Sequence, residues 1–340
     1  MKQLRLAFLG FRHGHVMGLY KSAREHPYVQ VVAAAEEHEA TAETLRSSGA
    51  VKLTHSRYSD VYRDVDFDAV AIGDYFGRRG ELIVQALQAG KHVIADKPIC
   101  TRLSEFQQIS ELVQQKQRSL GCLLDLRDHG PFITMRRLVR EGAIGTVHTI
   151  NFTAQHPLLP DKRPAWYFED GKHGGTINDI AVHAIDLIPW LTNRTIAEVV
   201  AARAWNARLA KFPSFQDAAQ IMLRLDNAGG VMGDLSYLSP DGIGYSPEQY
   251  WRVLCHGDGG AIETSYNAKA VWLARTSDTT PQSIPADPGR PTGCLTAFLT
   301  AIDGTHLRGA LTTADVLDAT RRTLLIQRAA DEHLTHVSLD

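Results

Sequence analysis

Over its first 125 residues the chain alternates short apolar runs with helix-like segments, and no other feature restricts its fold as much. Residues 4–9, 29–35, 68–73 and 92–95 read as strands, with helical segments running toward Glu25 and over 103–117. Apolar strands separated by helices describe a parallel sheet covered by those helices. Beyond residue 126, strand-like runs dominate, at 147–154, 196–204, 218–225, 230–237, 250–255 and 270–274. These suggest a mainly antiparallel open sheet, joined by helices over 132–141, 294–302 and 313–330. The chain has 340 residues, more than one hydrophobic core usually serves. The expected fold class is α/β in two domains, a parallel-sheet domain over 1–125 and an α+β domain over 126–340.

The charge balance is close to neutral, net −2 from 36 basic and 38 acidic residues, and no basic stripe is present. Nucleic acid is therefore not an expected partner. Cys100, Cys122, Cys255 and Cys294 lack paired spacing, which suits reduced thiols in a cytoplasm better than a disulfide framework or a zinc site. The apolar run before Gly10 is too short for a signal peptide and reads better as a first strand. No run approaches the roughly 18 apolar residues of a membrane span.

The first strand leads into Gly10-Phe11-Arg12-His13-Gly14-His15, and the second ends in Glu36. A glycine turn after strand one with an acid closing strand two is the layout of a Rossmann dinucleotide-binding unit. There, pyrophosphate sits on the helix N-terminus and the acid accepts hydrogen bonds from the ribose hydroxyls. A free acid at Glu36 favours NAD over NADP, because it repels the extra phosphate. Of the three fingerprint glycines only Gly10 is present; Arg12 and His15 stand at the other two places. Arg12 either blocks the approach of pyrophosphate or replaces it with a charged donor, and Gly14 restores some closeness or is simply a turn residue. The fourth strand runs into Asp96-Lys97-Pro98. Lys97 is thus placed where ligands meet open α/β sheets, and its ammonium suits a developing negative charge. The plain alternative is a surface-turn lysine paired with Asp96.

Asp179, His183 and Asp186 follow a Gly174-Gly175 lead at i, i+4 and i+7, so on an α-helix they share one face. A carboxylate beside an imidazole forms a proton-transfer pair. Equally, Thr176 and Asp179 form a Thr-x-x-Asp pattern that reads as a helix capping box, and His183 as a buried structural histidine.

These residues resemble the Gfo/Idh/MocA oxidoreductases. The resemblance rests on Phe67-Asp68-Ala69-Val70-Ala71-Ile72 followed by Ala89-Gly90-Lys91-His92-Val93-Ile94-Ala95-Asp96-Lys97-Pro98, with aspartate for the family's glutamate. It rests also on the glycine-led Asp179, His183, Asp186 segment and on the domain order. The resemblance implies catalysis by Lys97, Asp179 and His183: His183 takes the alcohol proton, Lys97 polarises the oxygen, and Asp179 orients the imidazole or a substrate hydroxyl. It implies cofactor contacts from Gly10, Phe11, Arg12, His13, Glu36, Asp74, Arg79, Asp96 and Lys97. Substrate contacts are expected from Lys97, Arg127, His156, Asp179 and His183, with Asp186 outside the reaction. The implied activity is NAD-dependent hydride transfer to or from a sugar, sugar acid or cyclitol, by a homo-oligomer (dimer or tetramer) built through the open sheet face. The loop 73–79 departs from the family pattern. Asp74 in it disfavours pyrophosphate unless Arg12, Arg78 or Arg79 compensates.

Two other readings compete. A non-catalytic sugar or dinucleotide sensor fits the broken fingerprint but has no need of Lys97 with Asp179 and His183. A metal-dependent enzyme would gather Asp179, His183 and His156, but the spacing lacks a zinc-type histidine pair at i, i+4, and no metal is expected.

Overall fold

The computed structural model describes residues 3–305 and 307–340. In chain order the first elements are β1 (Leu4–Leu9), α1 (His15–Glu25), β2 (Val29–Ala35), α2 (Glu39–Ser48), α3 (Tyr58–Asp64), β3 (Ala69–Ile72), α4 (Phe76–Gln88), β4 (His92–Ala95), α5 (Leu103–Lys116) and β5 (Leu120–Cys122). Then come α6 (Gly130–Arg140), β6 (Val147–Pro157), a π-helical turn (Ile177–Ala181), α7 (Val182–Thr192), β7 (Ile196–Trp205), β8 (Ala218–Leu225) and β9 (Gly230–Ser239). The chain closes with β10 (Arg252–Gly257), β11 (Gly260–Thr264), β12 (Ala270–Arg275), β13 (Gln282–Pro285), α8 (Gly293–Ile302), α9 (Thr313–Asp331) and β14 (Thr335–Ser338). No helix among the described residues is long and apolar enough to cross a membrane.

Two compact units result. The first comprises Met1–Leu123, Gly171–His173 and Thr292–Thr320. Its five strands run parallel in the order β2-β1-β3-β4-β5. β1 and β3 are almost wholly apolar because helices cover the sheet, and α1 presents Val16, Leu19, Tyr20 and Ala23 at helical spacing to the core. A division drawn once at residue 125 misses a return of the chain. Leu295, Phe298 and Leu299 of α8 join the core of Leu6, Phe8 and Ile94, so an apolar helix distant in sequence completes the first unit.

The second unit comprises Leu124–Asp170, Gly174–Pro291 and Arg321–Asp340. Its nine-stranded sheet has the order β13-β12-β11-β10-β6-β9-β8-β7-β14. All neighbours pair antiparallel except β6 and β9, which are parallel. Strict alternation along β8 buries Ile221 and Leu223 while Met222 points outward, as a sheet with one covered face requires. The apolar α7 packs with α6, and α6 lies on β11 and β12. The short strands β11, β13 and β14 carry too few residues for a readable alternation.

The glycine pair leading to the π-turn has a structural reason. Gly174 and Gly175 both hold positive φ, +81° and +95°, and a Cβ on Gly175 would enter the Gln327 side chain. That side chain is occupied, since its Oε1 accepts the Asn178 N–H at 3.1 Å and its Nε2 donates to Asp331 at 2.9 Å.

Gly175→Ala is expected to destabilise the protein by about 1–3 kcal/mol through left-handed strain plus the clash. Urea unfolding of the single variant and of Gly175→Ala with Gln327→Ala separates the two, since the double variant should recover only the clash. A second expectation concerns His92, whose Nδ1 accepts the Ser119 N–H at 3.0 Å and whose pKa is lowered to about 4 by burial and by Arg118. A native pKa below the unfolded value of about 6.5 means that its contribution is complete above pH 6.5 and lost as pH falls toward 4. The melting temperature should decline across that window, and His92→Gln should flatten the decline.

Candidate active site

In the first unit the turn after β1 is held by its own neighbours. Gly10 sits at φ +83°, and a Cβ there would come within 2.7 Å of the Asp74 nitrogen, so only glycine lets the two loops meet. The Phe11 N–H donates to Glu36 Oε2 at 2.6 Å, and the His38 N–H donates to Oε1 at 2.8 Å. Glu36 is therefore buried and clamped to the turn rather than standing open, although each of its oxygens keeps a further lone pair. Burial raises its pKa against the pull of those amides. The Phe11 ring packs on Phe8 and Tyr20 in the core, so its backbone, not its side chain, faces the turn. Arg12 donates its N–H to the Gly73 carbonyl at 2.9 Å, and its guanidinium lies over the Tyr75 ring at 5.6 Å.

Asp96 does not rely on Lys97 for its partner. Wholly buried at the end of β4, it meets His13 Nδ1 at 2.6 Å, His15 Nδ1 at 3.1 Å and an Arg79 N–H at 2.9 Å. Burial works against its charge, yet Arg79 and His13 hold its pKa well below the ordinary carboxylate range. Burial also pushes the His13 imidazole down to about 3. Arg79, expected as a cofactor contact, is instead a buried strut whose other donors reach the carbonyls of Asp74, Lys97 and Pro98. Lys97 is nearly buried, with its ammonium 5.8 Å from the Phe76 ring centre. Asp74 is balanced as the sequence demanded, by Arg78 at 3.1 Å together with the Tyr58 hydroxyl at 2.9 Å; Arg78 also pairs with Glu37 at 2.6 Å. Ligand atoms of His13, His15 and Asp96 lie within 4.8 Å of one another, near enough for a metal ion. Arg79 bonded to the same carboxylate and Lys97 close to His13 already supply two positive charges, which oppose a dication there.

The second unit carries the carboxylate–imidazole segment, and the π-turn changes its register. Ile177–Ala181 is π-helical and α7 starts only at Val182, so Asp179, His183 and Asp186 do not follow one α-helical stripe. Each meets a different neighbour. The Tyr237 hydroxyl donates to Asp179 Oδ2, His183 Nδ1 stands 4.0 Å from Asp125, and Asp186 receives a two-pronged bond from Arg127 at 2.7 and 2.6 Å. The capping box is not formed, because the Thr176 hydroxyl donates to the Gln216 carbonyl. Arg127, expected to read substrate, is buried against Asp186.

Around Asp179 and His183, which are 3% and 5% exposed, aromatic side chains form the wall. Trp251 meets His183 edge-on at 5.5 Å; His156 stands among Tyr237, Tyr245, Tyr250 and Trp251, with its Nε2 3.0 Å from the Tyr250 hydroxyl. Burial and the Asp179 charge raise the Tyr237 pKa well above that of a free phenol, so it is a donor at any working pH. Arg163 lies over the Tyr167 and Tyr237 rings. Sequence reading did not single out Tyr237, Arg163 or Trp251. Tyr237 had one signal: it falls on the inward row of β9 with Val231, Gly233 and Leu235, a phenol where an aliphatic residue is expected.

Comparison with known proteins agrees with this architecture. The chain is 27% identical over 222 residues to inositol 2-dehydrogenase 2 of Saccharopolyspora erythraea, covering 64% of this chain and 60% of that protein. It spans about 60% of the length of the first curated relatives it matches. The solved structure of an oxidoreductase from Thermotoga maritima superposes with a TM-score of 0.84 at 21% identity, covering 98% of this chain and all of that one. An oxidoreductase from Agrobacterium radiobacter, solved with NAD+, L-tartaric acid and magnesium, superposes with a TM-score of 0.79 at 17% identity over 99% of both chains. Both likenesses concern the fold. Residues 4–122 match the oxidoreductase family with an NAD-binding Rossmann fold, and residues 132–263 match the GFO/IDH/MocA C-terminal domain. With both of its characteristic domains matched in order, the chain belongs to the Gfo/Idh/MocA oxidoreductase family.

Proposed function

We propose that the protein transfers hydride between NAD and a carbinol carbon of a polyhydroxylated compound, a sugar, sugar acid or cyclitol. The observation that carries this reading is the second-unit cluster in which a carboxylate and an imidazole stand almost buried among tyrosines and a tryptophan. Aromatic faces suit the C–H surface of a sugar ring, while the two polar groups suit its hydroxyls. The first unit fits a dinucleotide: Gly10 presses its turn against Asp74 where a side chain would not fit, at the carboxyl edge of a parallel sheet. Gly10, Phe11, Arg12, His13 and Glu36 are assigned to hold it, with Asp74, Arg79 and Asp96 supporting the loops around it.

When bound, the nicotinamide supplies the acceptor for hydride. The chain supplies the rest. In the second unit His183 accepts the proton of the reacting hydroxyl, and Asp179, fixed by the Tyr237 hydroxyl, orients the imidazole or an adjacent substrate hydroxyl. Lys97 of the first unit keeps the catalytic role that the family resemblance gives it. NAD is assigned over NADP because Glu36 and Glu37 close β2, and the nearby cation Arg78 is already paired with Glu37 and Asp74. The spacing of the four cysteines in the sequence supports a reducing cytoplasm. Exposed Met222, Met232 and Trp272 support a homo-oligomer through the second-unit sheet.

Titration of the purified protein with NADH and NADPH, followed by tryptophan emission, should give saturable binding with NADH favoured by about tenfold or more. No binding of either at millimolar concentration would remove the dehydrogenase assignment and leave the sensor. Lys97→Ala and His183→Ala should each lower kcat on the order of 10²–10⁴-fold, with NADH affinity kept in His183→Ala. Wild-type turnover in either variant would take that residue out of the mechanism.

A further inference from the structure

The half-buried Arg163 lacks the direct carboxylate partner that the buried arginines near these sites possess. Arg79 is matched by Asp96 at 2.9 Å and Arg127 by Asp186 at 2.6 Å. Arg163 donates to the carbonyls of Leu158 at 2.9 Å and Pro157 at 3.2 Å, and to the hydroxyls of Tyr167 at 3.2 Å and Tyr245 at 2.9 Å. All four acceptors are uncharged, and among the described residues no carboxylate forms an ion pair with it. The Asp179 charge acts on it without a hydrogen bond, so this half-buried cation has, among the described residues, no directly paired anion. Here the four bonds fix the guanidinium plane in advance, at the rim where Tyr245 is exposed, and one of its five N–H groups remains for a ligand.

Its position relates it to the reacting groups. The Arg163 guanidinium lies 5.5 Å from the centre of the Tyr237 ring, and the hydroxyl of that ring holds Asp179. We propose that the substrate is a polyhydroxylated carboxylate, an aldonic or uronic acid, whose carboxylate docks on Arg163. This rests on the reading of the Asp179 cluster as the substrate site. The remaining Nη1 N–H offers a carboxylate oxygen one charge-assisted hydrogen bond. A phosphate is a poorer fit, because its second charge calls for a second cation and Arg127 in the same unit is already spent on Asp186.

The test is a binding titration of the full chain without nicotinamide, following emission of the tryptophans, of which Trp251 lies beside His183. The probes are uronates and aldonates of the gluco, galacto and manno series, each with its neutral sugar and its 6-phosphate. At least one acid should bind tenfold to a hundredfold more tightly than its neutral counterpart, in the range expected of one charge-assisted pair. Arg163→Gln should erase that preference while changing neutral-sugar affinity less than about threefold. Arg163→Lys, the conservative variant, should keep part of it, which guards against a variant that merely unfolds. The proposal is overturned if no acid binds, if neutral sugars or phosphates bind best, or if Arg163→Gln leaves the ratio unchanged. Because hydride transfer is not the readout, a chain that fails to oxidise anything can still show acid binding. A chain that oxidises only neutral polyols retains the dehydrogenase assignment and loses this one.

Discussion

The Asp96 carboxylate is the tie on which the first unit's ligand edge depends. It ends β4, receives Arg79 from α4, and meets His13 and His15 from the turn after β1. Three segments that the parallel topology merely brings close are thereby locked to one buried charge. Removing one partner of such a buried pair typically costs about 3–5 kcal/mol, because the other charge is left without compensation. This explains how the turn tolerates losing two fingerprint glycines. Side chains anchored on Asp96 do the shaping that backbone closeness does elsewhere, and His13 is part of the frame.

Most strands and most helices of both units were legible in the sequence, the short β11, β13 and β14 excepted, because a covered parallel sheet and a one-sided antiparallel sheet impose different apolar periods. The pairing of charges was not. Arg79 and Arg127 both looked like ligand readers by residue type and position, and each turns inward to a carboxylate 17 or 59 residues away. A charged residue near a loop carries no local mark of whether its partner is a ligand or a distant carboxylate. The return of α8 to the first core was hidden for a similar reason, since an apolar helix does not state which sheet it covers.

In the second unit the expected helical geometry did not hold. A spacing of i, i+4, i+7 specifies one face only if the backbone stays α-helical, and Ile177–Ala181 does not. The glycines at positive φ and the Gln327 contact that accompany the π-turn involve residues about 150 positions apart. Tyr237 and Arg163 entered the site from β9 and from the loop after β6, places where sequence offered a phenol in an aliphatic row and an arginine among prolines.

A π-turn is an α-helical turn carrying one extra residue, so this segment is vulnerable to changes in length more than to changes in composition. Loss of one residue within 177–181 would restore a regular helix and rotate everything before it by about 100° relative to α7. Asp179 would leave Tyr237 with its side chain and charge intact. The number of residues between the glycine pair and His183 thus matters more to this segment than the identity of the residues in between.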